Sequence, residues 1–135
     1  AAQRRVMSIS LMPGSRLPAY CTSMGRVLLA ALDPQQARHI LEFSPRPART
    51  DRTITDVDAL MDLLEDVRQH GHCVNDQEVE IGLRSIAVPL QTARGHTVAA
   101  LNVGLAASAE PVVSLVERYV PALLKVKTEL AQMLA

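Results

Sequence analysis

The chain has 135 residues, 48% of them hydrophobic and 14 basic against 14 acidic, which suits one domain with a buried core and leaves no room for a second independent unit. Balanced charge provides no global field to draw the chain to nucleic acid or lipid, and Tyr20, Phe43 and Tyr119, with no tryptophan, offer no platform on which bases could stack. No apolar run reaches the roughly 18–20 residues of a membrane span and AAQRRVMSISLM has no signal-peptide layout, so no membrane contact and a cytoplasmic location are expected.

In RVMSISLM, Arg5 to Met12, the residues Met7, Ile9 and Leu11 alternate with Val6, Ser8 and Ser10, the period of a strand. Pro13 and Gly14 then turn the chain. The next stretch, RLPAYCTSMGRVLLA from Arg16 to Ala30, leads into an apolar helix over Ser23 to Leu32. One hydroxyl from Thr22 or Ser23 would cap its first turn. The openness of CTSMG leaves a second reading, in which the N–H groups of Ser23, Met24 and Gly25 stay uncovered for an anion.

Asp33 before Pro34 starts a second helix to about Phe43, and SPRPART then forbids regular structure. A third helix begins at Thr55, with acids early, bases late, Val57, Leu60, Leu64 and Val67 on one side, and Gly71 as terminator. HCVNDQEV reads as a short strand running into a polar corner. RSIAVPLQT and TVAALNVGL are two strands joined by ARGH. If Thr92 and Thr97 close that loop, Pro89 faces Ala100, Ala87 faces Asn102 and Ser85 faces Gly104. One face then carries Ile86, Val88, Leu90, Leu101, Val103 and Leu105, and the other only small or polar side chains. From about Glu110 the chain is helical, with Pro121 expected to kink or divide it and Leu123, Leu124, Val126, Leu130 and Leu134 suited to the apolar sheet face. The small face either leaves a cavity for a small anion or admits a closely packed helix.

The motifs GSRLPAYCTSMGRVLLAAL, NDQEVEIGLRSIAVPL and AALNVGL, in that order, resemble the C-terminal effector-binding domain of the IclR family of bacterial transcription regulators. Among its branches the likeness is greatest to regulators of protocatechuate, hydroxybenzoate and β-ketoadipate catabolism. The resemblance covers essentially the whole chain. It implies an α+β, GAF-like fold, an antiparallel sheet with helices on one face and a ligand cavity on the other, with residues 1–135 as one effector-binding domain. It further implies N-terminal truncation: the DNA-binding winged helix-turn-helix and an early strand and helix of the domain would precede Ala1, leaving a sheet edge to be covered. DNA would be bound only through that missing part, and the working state would be a homodimer or homotetramer. The ligand would be a small carboxylate such as an aromatic acid or a β-ketoadipate-like catabolite.

Carried over residue by residue, the resemblance puts effector-binding backbone N–H groups at Ser23 and Met24, and a polar side chain at Asn75, where other members can carry an acid. Ser85 stands where some members have a cavity thiol, and Asn102 and Gly104 where others use hydroxyls. These departures keep the ligand of other members from being inherited. Arg16, Cys21 and Arg84 are further candidates for ligand or interface contacts, and Arg26 for a surface or interface ion pair. No cofactor or metal is implied: HGHC, with His70, His72 and Cys73, reads as a basic helix end, and Asp76, Glu78 and Glu80 as a solvated row. Enzyme activity is not expected. The alternative is a small thiol-dependent enzyme using Cys21, although no Cys/His arrangement is visible around it.

Overall fold

The computed structural model describes residues 8–10 and 18–134. The elements are β1 (Ser8–Ser10), α1 (Ser23–Ala30), α2 (Pro34–Glu42), α3 (Val57–His70), β2 (Cys73–Asp76), β3 (Leu83–Gln91), β4 (Thr97–Ala106) and α4 (Val112–Ala131). The four strands make one antiparallel sheet in the order β1-β4-β3-β2, in keeping with the α+β class. β1 lies inside the expected first strand; the rest of that strand, the turn at Pro13 and Gly14, and Arg16 lie outside the described residues.

Capping chemistry sets the helix limits. Thr22 caps α1 and Asp33 caps α2, with Pro34 in its first turn. Asp56, not Thr55, caps α3, because its carboxylate accepts the Ala59 N–H while the Thr55 carbonyl accepts from Arg46 Nε. Gly71 ends α3 at φ 79°, a left-handed conformation that a Cβ would strain.

The hairpin register places Ser85 opposite Gly104, Ala87 opposite Asn102 and Pro89 opposite Ala100, as the alternation predicts. The loop closes differently. An irregularity beside Leu90 puts Gln91 opposite Thr97, so Val98 bulges, and the Thr92 N–H bonds the His96 carbonyl.

On one face of the sheet, Ile86, Val88, Leu90, Leu101, Val103 and Leu105 pack with Leu115 and Leu123 of α4, each large aliphatic contributing about 1.5–3 kcal/mol on burial. α4 is a single helix through Pro121. Pro121 and Glu117, four residues earlier, are both exposed, so the carbonyl that loses its partner lies on the solvent side. Leu124 is 41% exposed instead of packed, since Leu115, Tyr119, Leu123, Val126 and Leu130 already form the inward stripe at helical spacing.

The other face carries helices too. Ala87 and Ala100 are buried in a second cluster with Val27 and Leu29 of α1 and Leu60, Leu64 and Val67 of α3. The face expected to hold the cavity thus carries helices as well, α1 lying close to the sheet over the small side chains of Ala87 and Ala100. Among the described residues, no helix is long and apolar enough to cross a membrane.

Candidate functional site

The approach to α1 is held by side chains rather than by strand or helix bonding. A Cβ on Gly25 would stand 2.4 Å from Ala19 Cα and 2.7 Å from Thr22 Oγ1, so glycine lets the preceding chain lie directly on the helix. The Thr22 hydroxyl donates to the Pro18 carbonyl at 2.9 Å and accepts the Gly25 N–H at 3.0 Å. Arg26 Nε donates to the Tyr20 carbonyl at 2.8 Å, and the Asn75 amide donates to the Cys21 carbonyl. Gly25 is thus removed from the three expected free N–H groups. Those of Ser23 and Met24 have no acceptor among the described residues, and they carry the positive end of the α1 dipole.

Beneath this start runs a transverse row of the sheet: Asn75 opposite Ser85, Ser85 opposite Gly104, and Gly104 opposite Ser8. The adjacent row contains Ala87 and Asn102. The Ser23 and Ser85 hydroxyls meet at 2.7 Å, joining the first residue of α1 to the sheet. Asn102 Oδ1 is buried with no hydrogen-bond partner among the described residues, an acceptor that a ligand donor would satisfy. A groove of about 1240 Å³ opens alongside, between α1 and the far end of the hairpin; Met24, Gly25, Leu28, Val98 and Ala100 are among its lining residues. Its lining includes no residue of the polar row; Met24, next to Ser23, and Ala100, two residues from Asn102 on β4, are its nearest members to that row in sequence.

Arg26 and Glu78 form a bidentate ion pair, at 2.8 and 2.6 Å, and are only 1% and 6% exposed. Glu78 also accepts the Ile54 N–H at 3.1 Å, and its own N–H donates to Asn75 Oδ1 at 3.0 Å. Arg26 is therefore a buried residue and not a surface one, and the Asn75 amide has a partner within the protein at both its nitrogen and its oxygen. The local signal for Arg26 was its place inside the apolar run GRVLLA. The solvated-row reading of Asp76 and Glu78 is corrected as well. Burial works against the charge of Asp76, but Arg84 at 2.9 Å, with Gln77 and Arg52, holds its carboxyl below the usual carboxylate range.

Arg84 also donates to the Glu110 carbonyl at 2.7 Å, just before α4. Adjacent to Ser85 in β3, it projects to the opposite face, and its ligand-contact reading is corrected. Cys21 is wholly buried and burial pushes its thiol up; Cys73 is pushed up to about 11 by the same cause. Cys21 is thus a core side chain, and no histidine is hydrogen-bonded to it among the described residues. His70 bonds the Asp66 carbonyl through Nδ1 at 2.8 Å. Among the described residues, no three His, Cys, Asp or Glu side chains gather as a metal set.

An antiparallel sheet between helical layers, with a polar row under the start of α1, defines a domain of α+β type. The chain belongs to the IclR family: residues 2–131 match the bacterial transcriptional regulator IclR C-terminal family. It is 46% identical over 134 residues to the Pca regulon regulatory protein of Pseudomonas putida, covering 99% of this chain and 46% of that protein. It is 42% identical over 98 residues to the p-hydroxybenzoate hydroxylase transcriptional activator of Acinetobacter baylyi, covering 73% of this chain and 36% of that protein. The chain thus spans less than half the length of these relatives. Among solved structures, a double mutant of the PobR inducer-binding domain from Acinetobacter, in complex with 3-hydroxybenzoic acid, superposes with a TM-score of 0.83 at 30% identity, covering 96% of this chain and 89% of that one.

Proposed function

We propose that this chain is the effector-binding part of an IclR-type transcription regulator and senses a small carboxylate, an aromatic acid or a β-ketoadipate-like catabolite. The observation that carries the reading is the pair of Ser23 and Met24 N–H groups, unpaired among the described residues, over a row of small polar side chains. The carboxylate accepts from those N–H groups at the positive end of α1. Ser85 offers a hydroxyl, and Asn102 Oδ1 accepts from a ligand hydroxyl. Gly104, opposite Ser85, adds no side chain to crowd the ligand body, which extends toward Met24 at the edge of the groove. The relative that is a p-hydroxybenzoate hydroxylase transcriptional activator, and the inducer-binding domain solved with 3-hydroxybenzoic acid, support the aromatic option.

Binding alters transcription only if the ligand's affinity differs between two arrangements of the intact regulator. That regulator acts as a homodimer or homotetramer and contacts DNA through its other part. Calorimetric titration of the chain with 4-hydroxybenzoate, protocatechuate and adipate tests the reading. One class is expected to bind with a dissociation constant on the order of micromolar, and Ser85→Leu, which fills the space under α1, is expected to abolish the heat. Failure of every carboxylate to bind, or undiminished binding by Ser85→Leu, overturns it.

A further inference from the structure

The hydrogen bonds around the α1 start show a division of labour. The carbonyls of Tyr20 and Cys21, the two residues immediately before the cap, are each gripped by a side chain from elsewhere: Tyr20 by Arg26 Nε and Cys21 by the Asn75 amide. Both grips converge on Glu78, whose carboxylate binds the two terminal nitrogens of Arg26 and whose backbone N–H binds Asn75 Oδ1. Glu78 is anchored in turn by Thr53 Oγ1 at its carbonyl, 2.5 Å, and by the Ile54 N–H at its carboxylate. One buried residue, through its carboxylate and its backbone, thus links α1, the end of β2 and the loop before α3.

We infer that Arg26 and Glu78 are a positioning pair, which holds the chain before α1 so that the Ser23 and Met24 N–H groups stay free of protein acceptors and aimed over the Ser85 row. Neither side chain needs to touch the ligand. Releasing the Tyr20 carbonyl would let the approach swing, and a mount displaced by even about 1 Å weakens a charge-assisted contact strongly. A buried pair adds little to stability compared with an apolar replacement of similar volume, so geometry is the reason to keep it here. The inference rests on the carboxylate reading for its effect on affinity, but the placement of the N–H groups is measurable without ligand.

The test uses Arg26→Met combined with Glu78→Leu, which leaves no unpaired buried charge, and Arg26→Lys, whose one nitrogen lacks the planar fork that grips Glu78 through two terminal nitrogens while Nε holds the Tyr20 carbonyl. If the double variant does not melt cooperatively, Arg26→Lys carries the test. Two quantities are read: the amide resonances of Ser23 and Met24 without ligand, with those of Leu28 and Leu29 on the other side of residue 26 as the control, and calorimetric affinity for 4-hydroxybenzoate and adipate. We expect cooperative melting, displacement or broadening of the Ser23 and Met24 signals beyond the control, and affinity lower by about tenfold or more for whichever probe binds the wild type. With a probe that binds, affinity within about twofold of wild type overturns the positioning role. If neither probe binds the wild type, the carboxylate reading fails by itself, and Ser23 and Met24 signals that move no more than the control overturn the positioning pair independently.

Discussion

Gly25 shows how one missing methyl group determines a site. In an exposed helix interior, alanine would be favoured over glycine by about 1 kcal/mol. Here the added Cβ meets the backbone of Ala19 at 2.4 Å, and backbone cannot rotate away as a side-chain end can, so overpacking of about 1–3 kcal/mol outweighs the propensity gain. Gly25→Ala is expected to lower the melting temperature by several degrees; a variant as stable as the parent would contradict the close approach. Cys73 makes a separate prediction. Its thiol is raised from 9.0 to about 11, so the folded state keeps a proton that the unfolded state releases. The resulting stability is complete below the unfolded pKa and lost as pH rises through the folded value. Between pH 8.5 and 11, the urea midpoint of the parent should fall more steeply than that of Cys73→Ala, and parallel curves would refute this.

At the scale of elements, the corner formed by β2, β3 and the start of α4 is tied by Asp76, Arg84 and the Glu110 carbonyl. Because the carboxyl of Asp76 is held low in the folded state, its contribution is present above the unfolded carboxylate pKa and lost as pH falls through the folded one. Asp76→Asn should therefore cost about 1 kcal/mol at neutral pH, limited by the quarter of that side chain left in solvent. The difference from the parent should shrink on acidification. A constant difference down to pH 2, measured by chemical denaturation, would point to shape rather than charge. These elements were unequally legible. The charge order and spacing of α3, and the alternation that paired Ser85 with Gly104, are local signals, so both could be read directly. Val98 bulges without any glycine or proline beside it to announce the change of register. Arg26 and Glu78 meet across 52 residues of sequence, a separation over which periodicity carries no information, so a buried lock looked like two surface charges. Asn75, Ser85 and Gly104 were picked out as a set by resemblance, and the sheet register puts them in one row.

For the whole molecule, ion pairing among the described residues engages six arginines. Arg26, Arg38, Arg52, Arg68, Arg84 and Arg118 are each paired with a carboxylate. Specific DNA binding requires several unpaired cations facing phosphates and a helix or strand reaching base edges. This chain is therefore expected to retain no operator DNA in a gel-shift assay, with or without a carboxylate. Sequence-selective, salt-dependent retention would show that folding assembles a basic surface.

The alternation along β3 gives the molecule a lever. Arg84 and Ser85 are neighbours in sequence yet serve opposite layers, one fastened to the carbonyl before α4 and the other to the first hydroxyl of α1. A strand that rolls about its own axis swings consecutive side chains in opposite senses. A roll that swings Ser85 one way beneath α1 therefore swings Arg84 the other way beside Glu110, so one peptide of β3 joins the contacts of the two helical layers.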